Sequence, residues 1–152
     1  MRFLIFPLIL ILTACAGFNQ IQAEYVNQQG ENAMAGDADV TFVRAINTGE
    51  NSWTFHVTVE HPDTGWDDYA DGWDVVLPDG TVIIPNNGDA FTRVLLHPHE
   101  TEQPFTRSQS NIVIPADITT VTVRAHDIVD GWGGQEITVD LTQSSGDGYT
   151  VE

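Results

Sequence analysis

Residues 51–61, NSWTFHVTVEH, alternate apolar and polar side chains without a break. Trp53, Phe55, Val57 and Val59 fall on one face, and Thr54, His56, Thr58 and Glu60 on the other. A period of two is the signature of a strand with one face buried, and it excludes an amphipathic helix over the same residues. The pattern recurs. TTVTVRAHD turns Val121, Val123 and Ala125 inward, and QEITVDL does the same with Ile137, Val139 and Leu141. Two short apolar runs flank Pro78-Asp79-Gly80, which reads as a hairpin. No segment carries a sustained helical period with caps. The chain is therefore expected to be all-β, with many short strands separated by turn signals, as in a sandwich or barrel.

Seven strands are expected, at 39–47, 52–61, 73–78, 81–97 (interrupted by PNNGDA), 105–114, 119–126 and 135–141. Their number and spacing, with Trp73 entering the third, resemble an immunoglobulin or fibronectin type III β-sandwich over residues 37–141. Cys15 is the single cysteine, so the inter-sheet disulfide of antibody domains is impossible, and no tyrosine lies in 119–126 to make a tyrosine corner. Residues 142–152, TQSSGDGYTVE after Leu141, read as a flexible tail.

The N-terminus has a different logic. Arg2 is followed by an apolar run from Phe3 to Leu12. That is too short to span a bilayer as a helix, which takes about 20 residues, and has the length of a signal-peptide core. Leu12-Thr13-Ala14-Cys15 resembles the lipobox of bacterial lipoproteins. The resemblance implies a signal peptide over 1–14, cleavage before Cys15 and diacylglycerol on its sulfur, which would hold the chain to a membrane. Ordinary secretion with cleavage after Ala16 or Ala23 is the alternative. Ala16 stands where an aspartate would resemble an inner-membrane retention signal, so the analogy favours an outer membrane where one exists. Residues 15–36 are rich in Gln, Asn, Ala and Gly and read as a flexible tether.

Charge narrows the partners. Five arginines and no lysine face 22 acidic residues, for a formal charge of −17. Such a surface repels nucleic acid, which is excluded as a partner. It suits cations, cationic partners or a saline medium.

Strand parity brings three connections to one end: 61–72, 98–104 and 127–134. Four of the five histidines lie in or beside them: His61, His97, His99 and His126. So do Trp66, Trp73 and Trp132 and many carboxylates. The opposite end has the plain turns NTGEN, PDG and PADI. This parity depends on 81–97 running as one interrupted strand.

Three readings of the pole stand. In the first, His97-Pro98-His99 holds copper or zinc, because residues two apart on an extended backbone share a face. His126, His61, Glu100 and Asp127 are then further ligands. In the second, Asp63, Asp67, Asp68, Asp71 and Asp74 hold calcium. Tyr69 sits where an EF-hand needs oxygen, so the loop is not an EF-hand. In the third, Trp66, Tyr69 and Trp132, with the flexible Gly133-Gly134, form a platform for a glycan or an envelope protein. Each has a structural alternative: solvated acids, imidazoles that brace loops, a tryptophan that caps the core. Whether any divalent metal is a cofactor stays open at this level. Ser108 and Ser110 lack a nucleophile-elbow context, and no matched acid–base pair is evident, so the chain is not expected to be an enzyme. A carbohydrate-active hydrolase is the remaining catalytic reading. HPHETEQPFTRS (97–108) and VRAHDIVDGWGG (123–134) are similar to stretches of bacterial exported proteins, often lipoproteins, which imply the address but no established activity.

Overall fold

The computed structural model describes residues 37–152. The expected signal peptide, Cys15 and the tether up to residue 36 lie outside them. Nine strands form: β1 Asp39–Gly49, β2 Ser52–Glu60, β3 Ala70–Val76, β4 Arg93–Val94, β5 Phe105–Val113, β6 Thr120–Asp127, β7 Ile137–Asp140, β8 Ser145–Gly146 and β9 Tyr149–Val151. They make two sheets, one in the order β5-β2-β1-β9-β8 and the other β4-β3-β6-β7. The fold is an all-β sandwich, as the alternation requires.

The core is the sum of the inward rows. Trp53, Phe55, Val57 and Val59 of β2 are buried, as are Val121, Val123 and Ala125 of β6 and Ile137 and Val139 of β7. Trp73 is fully buried on β3. In β1 the row changes parity. Val40 pairs with Val59 but Phe42 with Thr58, so one extra residue intervenes. This β-bulge lets Val40, Val43 and Ala45 all face inward and leaves Phe42 exposed.

The expected strand 81–97 keeps its direction but not its continuity. Val82 bridges Val76, and Arg93 and Val94 pair with Trp73 and Gly72. The backbone between them leaves the sheet and returns over β3. Thr92 ties it down: its hydroxyl donates to the Ile83 carbonyl at 2.6 Å and accepts from Val75 N–H at 2.8 Å. Phe91 lies over Gly72, where an added Cβ would fall 2.1 Å from the ring, so only glycine admits it.

Residues 142–152 correct the expectation of a flexible tail. Asp147-Gly148 turns β8 into β9, and β9 lies parallel to β1 with Tyr149 opposite Val43. Tyr149 is buried. Arg44 donates twice to the Glu152 carboxylate, each at 2.8 Å. The folded domain therefore runs to the last residues and has two strands more than expected. The segment supplies backbone partners to an edge of β1 that would otherwise be open.

Candidate functional site at the loop pole

The three connections meet. β2 ends where β3 and β5 begin, and β6 turns beside them. The chain also enters the domain here: Val40 N–H donates to the Gln135 carbonyl at 2.8 Å, and Gln135 N–H to Asp39 Oδ1 at 2.5 Å. Gly133 and Gly134 are therefore not a flexible platform, and that expectation is corrected. A Cβ on Gly134 would lie 2.2 Å from the Ala38 carbonyl oxygen, and one on Gly133 2.4 Å from Asp37 Oδ1. Their hydrogen-only side chains permit contact with the incoming strand.

Two inward rows end in polar residues. His61 continues the row of Val57 and Val59, and Asp127 continues that of Val123 and Ala125; both are buried. They form a polar layer over the apolar core. Asp63, also buried, organises one half of it. Its Oδ1 accepts from His61 Nδ1 at 2.6 Å and from Ala70 N–H at 3.1 Å. Its Oδ2 accepts from His99 N–H at 2.6 Å. One carboxylate thus ties 61–69 to 95–104. Gln103 adds a second tie, with its carbonyl oxygen 3.1 Å from His61 N–H and its amide donating to the His99 carbonyl at 3.3 Å. Asp127 organises the other half. Its Oδ1 accepts from the backbone of Val129 at 2.9 Å and Asp130 at 2.6 Å, which shapes the turn after β6.

The expected ligand sets are regrouped. His97 and His99 are close, with ring centroids 4.5 Å apart. But the His99 ring lies flat on Phe105, at 3.7 Å and 12°, and both its nitrogens are buried without a hydrogen-bond partner. His97 Nδ1 lies 3.0 Å from the Pro98 carbonyl oxygen. His126 pairs instead with Asp71 at 2.6 Å. Among the described residues, two groups place three ligand atoms within 4.8 Å of one another: His61, Asp68 and Asp127, and Asp37, Asp127 and Asp130. Neither contains His97, His99, His126 or Glu100. The five loop aspartates also diverge. Asp63 serves His61 and His99, Asp71 serves His126, and Asp74 takes Thr92 N–H at 3.0 Å and Arg124 at 3.3 Å. Asp67 is exposed, and Asp68 faces His61.

The aromatic platform is split as well. Trp66 meets Tyr69 edge-on at 5.8 Å. Trp132 packs on His126 at 4.7 Å and Phe91 at 5.8 Å, with the Arg124 guanidinium 3.9 Å from its ring centroid. Trp132 is thus a cap on the outer face of β6. Sequence reasoning missed Phe91, Gln103 and Asp37. Only Gly72, a glycine inside a strand, hinted at a ring crossing the backbone.

Charge at the pole follows burial. Burial pushes the Asp74 carboxyl up, against the Thr92 N–H and Arg124 that hold it down. Arg107, hydrogen-bonded to Glu102 at 3.0 Å, holds that carboxyl below the usual range. Burial holds His99 below the ordinary histidine value near 6.5, and Arg107 and His97 add to the effect. In the unfolded chain His99 binds its proton more readily than in the fold. Stability from neutral His99 is therefore complete above pH ~6.5 and declines as pH falls toward the depressed folded value. A histidine-resolved NMR titration is expected to show His99 titrating below the ordinary histidine value. His99→Phe is expected to flatten the acid decline of the melting temperature that begins near pH ~6.5. An unchanged acid profile in that variant would rule out His99 as its source.

The fold and pole define a β-sandwich whose loops gather buried acids and imidazoles at one end. The chain is similar to a protein named "Putative lipoprotein" from Halomicrobium mukohataei, 40% identical over 104 residues, which are 68% of this chain and 47% of that protein. The chain thus spans about half the length of the curated relative it matches. No family model matches it, and no solved structure does.

Proposed function

We propose that this chain is an exported, lipid-anchored module of the cell envelope that binds an envelope protein or glycan through its loop pole. Lipid on Cys15 is the anchor, residues 15–36 are the tether, and the sandwich presents the pole. The Leu12–Cys15 motif and the relative's name support the address. The partition of strands between the sheets supports the immunoglobulin-like reading.

The distribution of exposed apolar surface carries the binding reading. Seven large apolar side chains are exposed among the described residues, and five of them belong to or border the pole: Trp66, Leu96, Ile128, Val129 and Trp132. Phe42 and Val113 are the others. Trp66 is the most prominent aromatic, 66% exposed and supported by Tyr69. A rigid, exposed indole among polar groups is the usual anchor of a binding surface.

Two substitutions test the two halves. Cys15→Ser is expected to abolish acyl labelling and move the protein to the soluble fraction. Equal labelling and membrane retention would overturn the anchor. Trp66→Ala is expected to weaken binding to purified envelope glycan or surface protein about tenfold or more, with an unchanged melting temperature. Undiminished binding would remove the pole as the contact surface.

A further inference from the structure

The turn after β6 holds a buried acid that is only half satisfied. Asp127 ends the inward row of Val123 and Ala125 and is fully buried. Its Oδ1 accepts from the Val129 and Asp130 amides at 2.9 and 2.6 Å, but its Oδ2, also buried, has no hydrogen-bond partner. A carboxylate removed from water is costly unless its charge and both oxygens are matched. The neighbours add to the cost. One carboxylate oxygen from each of Asp37, Asp127 and Asp130 lies within 4.8 Å of the other two. Among the described residues the arginines in ion pairs are engaged elsewhere: Arg44 with Glu152, Arg107 with Glu102 and Arg124 with Asp74.

We propose that Asp37, Asp127 and Asp130 form a binding site for one calcium ion. The inference is independent of the lipid anchor and of any partner at the pole, and it uses neither His61 nor Asp68. The two amides on Asp127 Oδ1 leave Oδ2 as the buried ligand. Asp37 and Asp130 are exposed, so water completes the outer side. Oxygens bound to one Ca²⁺ at ~2.4 Å stand no more than about 4.8 Å apart, so one ion can serve all three after a small contraction. Gly133 belongs to the same arrangement. A Cβ there would collide with the Asp37 carboxylate, so the bare backbone is what lets this acid lie against the turn.

The donor set selects the ion. All three ligands are carboxylates, and no imidazole or thiolate favours zinc or copper. Magnesium asks for a strict octahedron at ~2.1 Å and keeps much of its water, whereas calcium accepts about 6–8 oxygens in a flexible geometry. The ion would join Asp37, where the chain enters the domain, to the turn that Gln135 already ties to Val40 and Asp39. It acts as a clamp on the start of β1.

The test is calorimetric titration of the chelator-stripped full-length chain in detergent with Ca²⁺, alongside melting curves and amide hydrogen exchange with and without the ion. One equivalent is expected to bind, with a dissociation constant of about 10⁻⁴–10⁻³ M, as in extracellular sites with few protein ligands. The melting temperature should rise, and Val40 N–H should gain protection. Asp37→Asn and Asp130→Asn are each expected to weaken binding about tenfold, since affinity follows the count of charged ligands. Both side chains are exposed, so the variants fold, and an unaltered melting temperature without calcium checks this. Asp67→Asn removes an exposed acid of the same pole outside the group and is expected to leave binding unchanged. Equal weakening in Asp67→Asn would show a diffuse counterion cloud and overturn the site. Magnesium binding as tightly as calcium would overturn the ion class. No heat and no rise in melting temperature at about 10 mM Ca²⁺, well above the expected range, would overturn the proposal.

Discussion

Asp63→Ala is expected to destabilise the domain by about 3–5 kcal/mol, a fall of roughly 10–20 °C in melting temperature. The substitution removes one side chain but strands three donors. His61 Nδ1, Ala70 N–H and His99 N–H all give their hydrogens to this carboxylate. All three residues are buried, so water cannot replace the acceptor without opening the pole. Two connections distant in sequence would separate, since Asp63 lies in one and His99 in the other. Asp63→Asn separates charge from shape. It keeps one carbonyl oxygen and is expected to lose about half as much. Urea denaturation followed by tryptophan fluorescence and circular dichroism measures both. A loss under about 1 kcal/mol for the alanine variant would mean that the pole is not held by this carboxylate.

Gly134→Ala is expected to cost about 3 kcal/mol although it adds one methyl group. The Cβ would sit 2.2 Å from the Ala38 carbonyl oxygen and 2.8 Å from Asp39 Oδ1. Backbone atoms cannot rotate aside as a side-chain end can. Relief therefore means moving the first residues of β1 away from the 127–134 turn. That movement breaks the hydrogen bonds of Val40 and Gln135 across this junction. Gly49→Ala, at a turn where nothing lies within 4 Å but φ is +156°, strains the backbone without a clash and is expected to cost less. Equal losses in the two variants would mean that the close approach at Gly134 costs no more than backbone strain at Gly49. Amide hydrogen exchange adds a local readout: Val40 N–H should lose protection in the Gly134 variant before the rest of the domain does.

The candidate site was legible in its members and not in its grouping. His61, Asp68 and Asp127 each stood among the candidate ligands, but in two sets drawn by local spacing. His97-Pro98-His99 looked like a pair because two residues apart on a strand share a face. The chain is not a strand there: a short turn places the His99 ring on Phe105 and leaves His97 outside. The stronger signal was period-two parity continued past the strand ends. Carried one step beyond Val59 and Ala125, it reaches His61 and Asp127, the two polar residues that close the core.

Alternation alone determined the β class and the inward rows of β2, β6 and β7. Each of these is a local consequence of a backbone that turns successive side chains to opposite faces. Tertiary structure decided the rest. Residues 145–151 form strands only because β1 offers an edge to pair with, and a Ser- and Gly-rich segment does not announce such an edge. Gly133 and Gly134 looked like freedom of motion and are close contact, because their neighbour is Asp37–Asp39, nearly a hundred positions earlier in the chain. Which acid meets which imidazole was settled by loops crossing in space, where spacing along the chain has no bearing.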